Sequence, residues 1–327
     1  MTTKLFSERA VRQGLDIERA RDDVEKTYVE TAHDRVLNPP KLGMHLGDDG
    51  AWPDLDAFAI NMPAYVDWMG VAGTKWAVAT WGVETGKPIR SLIVLFGFEK
   101  RQFKAILEGM YVTGVRTALQ SVLGLTRLLP DAPETIGLFG AGFQARFQLM
   151  IIDELVPVDS FRIFDIDAET AVALAETTGE SIDADVLVCE SPEEVVESDA
   201  IITVTDSRRP VIDDDLLEAS TDIIALGTYQ ELPDRTVLES DHIVVDHVEQ
   251  SLQRGALSEL AAQGRLSSTD IDTTIGSVLV DDYRRSIRRN DRVLFVPIGL
   301  GSLDVAIANR IYEELPYHDA IGEFNFG

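Results

Sequence analysis

Residues 134–167, ETIGLFGAGFQARFQLMIIDELVPVDSFRIFDID, read as a strand, a glycine turn, a helix and a second strand closing on an acid. Thr135 to Phe139 is a short apolar run suited to a buried parallel strand. Gly140, Gly142 and Ala145 follow at GxGxxA spacing and open an amphipathic segment, Phe143 to Leu155. Each small residue has a physical task there. Gly140 makes the sharp turn, Gly142 lets backbone approach a pyrophosphate, and Ala145 lets helix and strand pack closely. Phe143 and Gln144 occupy the first helical positions, where backbone amides face phosphates. Asp165, after the strand Phe161 to Phe164, is placed to accept hydrogen bonds from an adenosine ribose. The stretch therefore predicts a dinucleotide site. A carboxylate repels a 2'-phosphate, so Asp165 favours NAD, while nearby Arg162 leaves NADP possible.

The same alternation continues downstream. Helix Ala168 to Thr178 precedes strand Ala184 to Cys189, helix Pro192 to Glu197 precedes strand Ala200 to Val204, and helix Asp214 to Ala219 precedes strand Asp222 to Leu226. Strand Ile243 to Val245, helix Glu249 to Leu260 and strand Val293 to Pro297 complete the series. This is the pattern of a Rossmann-type, doubly wound parallel sheet, assigned to residues 116–304 and entered through a helix over Thr113 to Leu129.

Upstream the pattern changes. Glu8 to Ala32 is charged and helical in period, and the chain breaks at Asn38-Pro39-Pro40. Lys41 to Leu46, Ala57 to Met62, Val71 to Thr80, Ile89 to Phe96 and Phe103 to Leu107 then read as strands between turn residues. They predict a second, mainly antiparallel α+β domain over residues 1–115. An amphipathic helix, Ser302 to Leu315, is expected to pack back on it, so that residues 305–327 join the same domain.

Composition excludes several partners. A formal charge of -27, from 56 acidic against 29 basic residues, repels nucleic acid and anionic membranes. No apolar run reaches membrane-spanning length, and MTTKLFSERA lacks a signal-peptide core, so a cytoplasmic location is expected. The acids are spread through DIERARDD, DIDAETAVALAE and IDDDLLE, and no lysine follows Lys104. Such an acidic, lysine-poor surface suits a high-salt cytoplasm. Cys189 is the single cysteine, and the histidines His33, His45, His242, His247 and His318 have no metal-ligand spacing, so no metal is expected.

Candidate catalytic groups come from the N-terminal sheet. Lys75 lies in the apolar strand GVAGTKWAVAT, where burial would tune a lysine for acid–base work. Lys41 begins a strand, and Arg116, in TGVRTA, sits near the start of a helix, where a cation implies a bound anion. Thr205 and Ser207, after one parallel strand, and Leu226 and Gly227, at the end of the next, lie where open α/β sheets bind ligands.

MPAY at Met62 to Tyr65, GTKW around Lys75, TGVRTA, LFGAGFQA, VTDSRRPVI and IGLGSLDVA together resemble the ornithine cyclodeaminase and mu-crystallin family over nearly the whole chain. The resemblance implies a homodimer joined through the N-terminal domain and NAD(P) chemistry at the α-carbon of an amino or imino acid. Lys75 matches the family's proton donor or acceptor. By the same resemblance Arg116 matches the arginine that faces substrate carboxylate and cofactor, with Thr117 beside the phosphates, Lys41 stands where many members place a carboxylate-binding arginine, and Gly299 falls in what looks like the family's C-terminal signature, on the substrate side. Two departures stand out. Ile60 and Tyr229 occupy positions where ornithine cyclodeaminases carry a glutamate and a catalytic aspartate, and Glu231 or Asp234 could substitute only if the loop shifts. An amino acid dehydrogenase or ketimine reductase is therefore expected, with ornithine cyclodeamination and a non-catalytic, nucleotide-bound ligand carrier as alternatives.

Overall fold

The computed structural model describes residues 2–47, 52, 55–80, 89–281, 283–315 and 320–325. His318 lies outside them. The chain runs β1 (Thr2–Phe6), α1 (Glu8–Gln13), α2 (Ile17–Ala32), β2 (Val36–Leu37), β3 (Leu42–Leu46), β4 (Ala57–Val66), β5 (Val71–Thr80), β6 (Ile89–Gly97), β7 (Gln102–Glu108) and α3 (Met110–Arg127). It continues through β8 (Thr135–Phe139), α4 (Phe143–Leu155), β9 (Ser160–Phe164), α5 (Ala168–Gly179), β10 (Asp185–Val188), α6 (Pro192–Val195), β11 (Ala200–Thr203), β12 (Asp222–Ala225) and α7 (Asp234–Leu238). β13 (His242–Val245), α8 (Val248–Ser251), α9 (Ser258–Ala262), β14 (Thr273–Thr274), α10 (Ile275–Val280), β15 (Val293–Val296), α11 (Gly301–Glu314) and β16 (Gly322–Asn325) complete it. These elements form two compact units, Met1–Arg116 with Leu300–Gly327, and Thr117–Gly299.

The first unit is a mixed, mainly antiparallel sheet in the order β16-β1-β7-β6-β5-β4-β2, with β3 also paired to β4. Cross-strand partners share a face, so register decides what meets what. Met62, Lys75, Ile93 and Leu107 stand opposite one another across β4 to β7, and all four are buried. The other face alternates with it and leaves Trp76 53% and Leu92 48% exposed. Helix α11 packs across β4, β5 and β6 and against α2. It is buried almost all round from Gly301 to Asn309, so it is a core helix rather than a half-exposed one. Two glycines permit its close approach. A Cβ on Gly73 would stand 2.8 Å from Val305 Cγ2, and one on Gly301 would stand 2.5 Å from the Met62 carbonyl oxygen.

The second unit is an all-parallel sheet ordered β10-β9-β8-β11-β12-β15-β13-β14. The order reverses at β8 and β11, and ligands of such sheets bind beyond the carboxyl ends of the strands at that reversal. β8, β11, β12 and β15 are almost wholly apolar and buried, as strands covered on both faces must be. On α3, a Cβ at Gly124 would stand 2.8 Å from Phe295 and 2.9 Å from Ile224, so glycine seats that helix close to the sheet.

Several expected elements change. The helix expected over Glu249 to Leu260 is two short helices, because Gly255 adopts φ +80° between them. Asp214 to Ala219 contributes only a 3-10 turn over Asp214–Leu216. The flanking strands β1 and β16 carried no clear signal, since each is short and pairs with residues distant in sequence. α3 begins at Met110, where the Glu108 carboxylate accepts from the amides of Met110 (2.9 Å) and Tyr111 (3.1 Å). Arg116 is thus in the second turn rather than at the helix start, and its environment is a side chain, not the helix terminus.

Candidate active site

The first unit gathers Lys75, Asp304, Thr113 and Arg116. Lys75 Nζ donates to Asp304 Oδ1 at 3.0 Å and to Thr113 Oγ1 at 3.1 Å, and lies 2.9 Å from Asp304 Oδ2. Arg116 Nε stands 3.6 Å from Asp304 Oδ1. Sequence and packing explain the meeting. Gly301 lets α11 start against Met62 on β4, and one turn later the helix presents Asp304 to Lys75, the strand partner of Met62. The lysine side chain is 3% exposed and the aspartate 0%. A lone buried ammonium would be strongly disfavoured, and the ion pair offsets much of that cost. The buried lysine has Asp304 as a counterion.

Two cations, Lys75 and Arg116, share the Asp304 carboxylate here. Lys41 lies just before β3, whose first residue, Leu42, pairs with Asn61, the neighbour of Met62 on β4. Ile60 lies on the Met62 face, with Ala77 as its partner, and places apolar surface there.

In the second unit the glycine turn sits at the order reversal. Gly140 has φ +99°, and a Cβ there would fall 2.9 Å from both the Val204 carbonyl oxygen and Thr205 Cγ2. Its amide donates to Phe164 O at 2.9 Å, and the Ala141 amide donates to Asp165 Oδ2 at 2.8 Å. Asp165 Oδ1 accepts from Asp167 N at 2.9 Å. The acid therefore fixes the turn from the end of β9. Gly142 caps α4, and nothing lies within 4 Å of where its Cβ would be. Its glycine is thus not required by protein packing, whereas space for a phosphate there needs it. Ala145 is fully buried, Phe143 is 48% exposed, and Gln144 Oε1 is buried with no hydrogen bond among the described residues. The open space at Gly142 and the unanswered Gln144 oxygen both fit a dinucleotide over this helix. Arg162 is turned to other partners, donating to Glu194 O and Glu197 Oε2, each at 2.8 Å.

The remaining expected residues are engaged within the same unit. Thr205 donates its amide and hydroxyl to Glu231, Ser207 donates its amide to Thr205 Oγ1 at 3.1 Å, and Gly227 donates to Glu231 Oε2 at 2.8 Å. The Leu226 amide bonds Thr203 O, and Gly299, at φ +74°, donates to Asp246 Oδ2 at 2.8 Å. Thr117 is buried in α3. Burial pushes the Glu231 carboxyl up, against four hydrogen bonds that favour its charged form. Asp234 is held below the usual carboxylate range by Arg265, with which it pairs, and accepts from Gln230. Among the described residues no cluster of three or more His, Cys, Asp or Glu is placed to hold a metal, and no helix is long and apolar enough to cross a membrane.

Asp304 and Thr113 were not foreseen as site residues. The signal for Asp304 was present, an acid within the apolar helix GSLDVAIA, the mirror of a lysine within an apolar strand.

Known proteins share this architecture. The model of the ornithine cyclodeaminase/mu-crystallin family matches residues 1–318. Alanine dehydrogenase of Archaeoglobus fulgidus is 29% identical over 324 residues, covering 96% of this chain and 95% of that protein. Delta(1)-pyrroline-2-carboxylate reductase of Bacillus cereus is 26% identical over 265 residues, covering 78% of this chain and 81% of that protein. A solved archaeal alanine dehydrogenase dimer with bound NAD superposes with a TM-score of 0.88 at 25% identity, covering 100% of both chains.

Proposed function

The chain belongs to the ornithine cyclodeaminase/mu-crystallin family, and from that premise we propose that it is an NAD-dependent oxidoreductase interconverting a small L-amino acid with its imino or keto acid. The observation that carries this reading is the buried Lys75–Asp304–Arg116 constellation. Nicotinamide, when bound, supplies the hydride exchange at the α-carbon. The chain's own residues do the rest. Arg116 and Lys41 bind the substrate carboxylate through their cationic groups. Lys75 Nζ holds or removes the proton that the substrate nitrogen gains or loses, and Asp304 and Thr113 orient that ammonium. Gly140, Gly142 and the amides opening α4 hold the pyrophosphate, and Asp165 takes the ribose. NAD is favoured over NADP because Asp165 is unopposed by Arg162, whose guanidinium is bound to Glu197.

Ornithine cyclodeamination is less well supported. Ile60 offers no charge to a second amino group, Tyr229 carries none, Glu231 is saturated, and Asp234 is paired with Arg265. A homodimer is the assembly that best fits the exposed apolar face of the first unit, where Trp76 and Leu92 lie side by side in register. The test is a survey of NADH oxidation with pyruvate and ammonia, then cyclic imines, beside ornithine with catalytic NAD and an ammonia assay. Net NADH oxidation supports the proposal. Ammonia from ornithine without net change in NADH would replace it with cyclodeamination.

A further inference from the structure

One buried acid has no part in the chemistry above. Glu231 is 1% exposed. Its Oε1 accepts from the Thr205 amide at 2.6 Å and the Thr205 hydroxyl at 2.5 Å, and its Oε2 accepts from the Thr203 hydroxyl at 2.9 Å and the Gly227 amide at 2.8 Å. Two carboxylate oxygens offer about four lone-pair directions, and all four are used. The donors are Thr203, the last residue of β11, and Thr205 and Gly227 in the loops that follow β11 and β12, which are adjacent parallel strands. A Cβ on Gly227 would collide with Oε2, so that position must be glycine while Glu231 is in place. The main chain adds a further tie, with the Val211 amide donating to Glu231 O at 2.8 Å. Thr205 in turn packs against Gly140, so the network reaches the glycine turn.

We propose that Glu231 is the positioning residue of the nucleotide crevice, a buried carboxylate that locks the loops after β11 and β12 to each other and holds Thr205 against the glycine turn. It follows that Thr205 and Gly227 do not donate hydrogen bonds to the nucleotide. Their amides and the Thr205 hydroxyl already answer Glu231, and they act on the cofactor by shape. This inference rests on reading the second unit's crevice as the nucleotide site.

The test compares NADH dissociation constants and melting temperatures for wild type, Glu231→Gln, Thr205→Val, Thr205→Ser and the Glu231→Gln, Thr205→Val double variant. Glutamine must turn its NH2 toward the Thr205 amide or the Gly227 amide, setting donor against donor. We expect Glu231→Gln and Thr205→Val each to weaken NADH binding about 10- to 100-fold, as one buried donor or acceptor left unanswered would. The double variant should be no worse than the weaker single, because both break one network, and Thr205→Ser, which keeps the hydroxyl that answers Glu231 but loses the Cγ2 beside Gly140, should weaken binding less than Thr205→Val does. A lowered melting temperature with unchanged NADH affinity would make Glu231 merely structural and overturn the inference. If Glu231→Gln does not fold, Thr205→Val breaks the same network from its other side and decides between these two outcomes. Wild type that fails to bind NADH at all would instead remove the nucleotide reading, and the inference with it.

Discussion

Asp304, with no exposed surface, lies 2.9 Å from Nζ of Lys75 although 229 residues separate them in the chain. The pair joins the core helix α11 to strand β5 inside one compact unit. A buried ion pair of this kind adds little net stability over an apolar pair, but removing one partner alone costs about 3–5 kcal/mol. Asp304→Leu, which takes the carboxylate from both Lys75 and Arg116, should destabilise on that scale, Lys75→Met less because Arg116 still faces Asp304, and the double variant should recover part of the Asp304→Leu loss. Urea denaturation of the three variants measures it. Additive losses would mean that the two side chains do not interact in solution.

Asp165 is expected to set nucleotide preference. Asp165→Ser removes both the proposed ribose acceptor and the bond that holds the Ala141 amide. NADH binding should weaken about 10- to 100-fold, the scale of a charge-assisted hydrogen bond, while NADPH binding weakens less. Titration of both nucleotides reads the ratio, and an unchanged ratio would move the ribose contact elsewhere.

Asp222, at the start of β12, makes stability depend on pH. Burial raises its pKa from 3.8 to about 6, against the Val293 amide, His242 and Arg292, which favour its charged form. A carboxyl with a raised folded pKa favours the fold below its unfolded pKa and loses that contribution as pH rises through about 6. Asp222→Asn keeps an oxygen for the Val293 amide and removes the titration. It should therefore stabilise the protein by on the order of 2–3 kcal/mol above about pH 7, with the gain vanishing near about pH 4. A difference that stays flat across that range contradicts the assignment.

The charge of -27 predicts a salt requirement. Screening shortens the reach of carboxylate repulsion from about 10 Å at a tenth molar to about 3 Å at molar salt. The melting temperature should rise from dilute buffer to molar KCl. An unchanged value would count against adaptation to high salt.

How much of this was legible depended on whether the signal was local. Gly140, Gly142, Ala145 and Asp165 lie within one strand–helix–strand passage, so spacing and residue type are enough to single them out, and the structure adds the tight packing at Gly140 and the bond from the Ala141 amide to Asp165. Lys75 was legible as an anomaly, a charge in an apolar strand. Its explanation was not, because Asp304 reaches it through tertiary packing that begins at Gly301. Glu231 was read only as a possible spare carboxylate, since its four donors come from three separated positions, Thr203, Thr205 and Gly227. The strands β1 and β16 were missed for the same reason, as their pairing is with each other and with β7 across the length of the chain. Arg116 was placed near a helix start because the Glu108 cap, which begins the helix at Met110, was not seen in the sequence.

The most direct test of the central claim is turnover of Lys75→Met beside its NADH affinity, measured with whichever amino or imino acid the wild type uses. Methionine keeps most of the side chain's length and removes the ammonium. NADH binding is expected within about twofold of wild type, and turnover lower by about 10²- to 10⁴-fold, the contribution of a positioned acid or base. Undiminished turnover with intact NADH binding would contradict this and show that Lys75 moves no proton in the reaction.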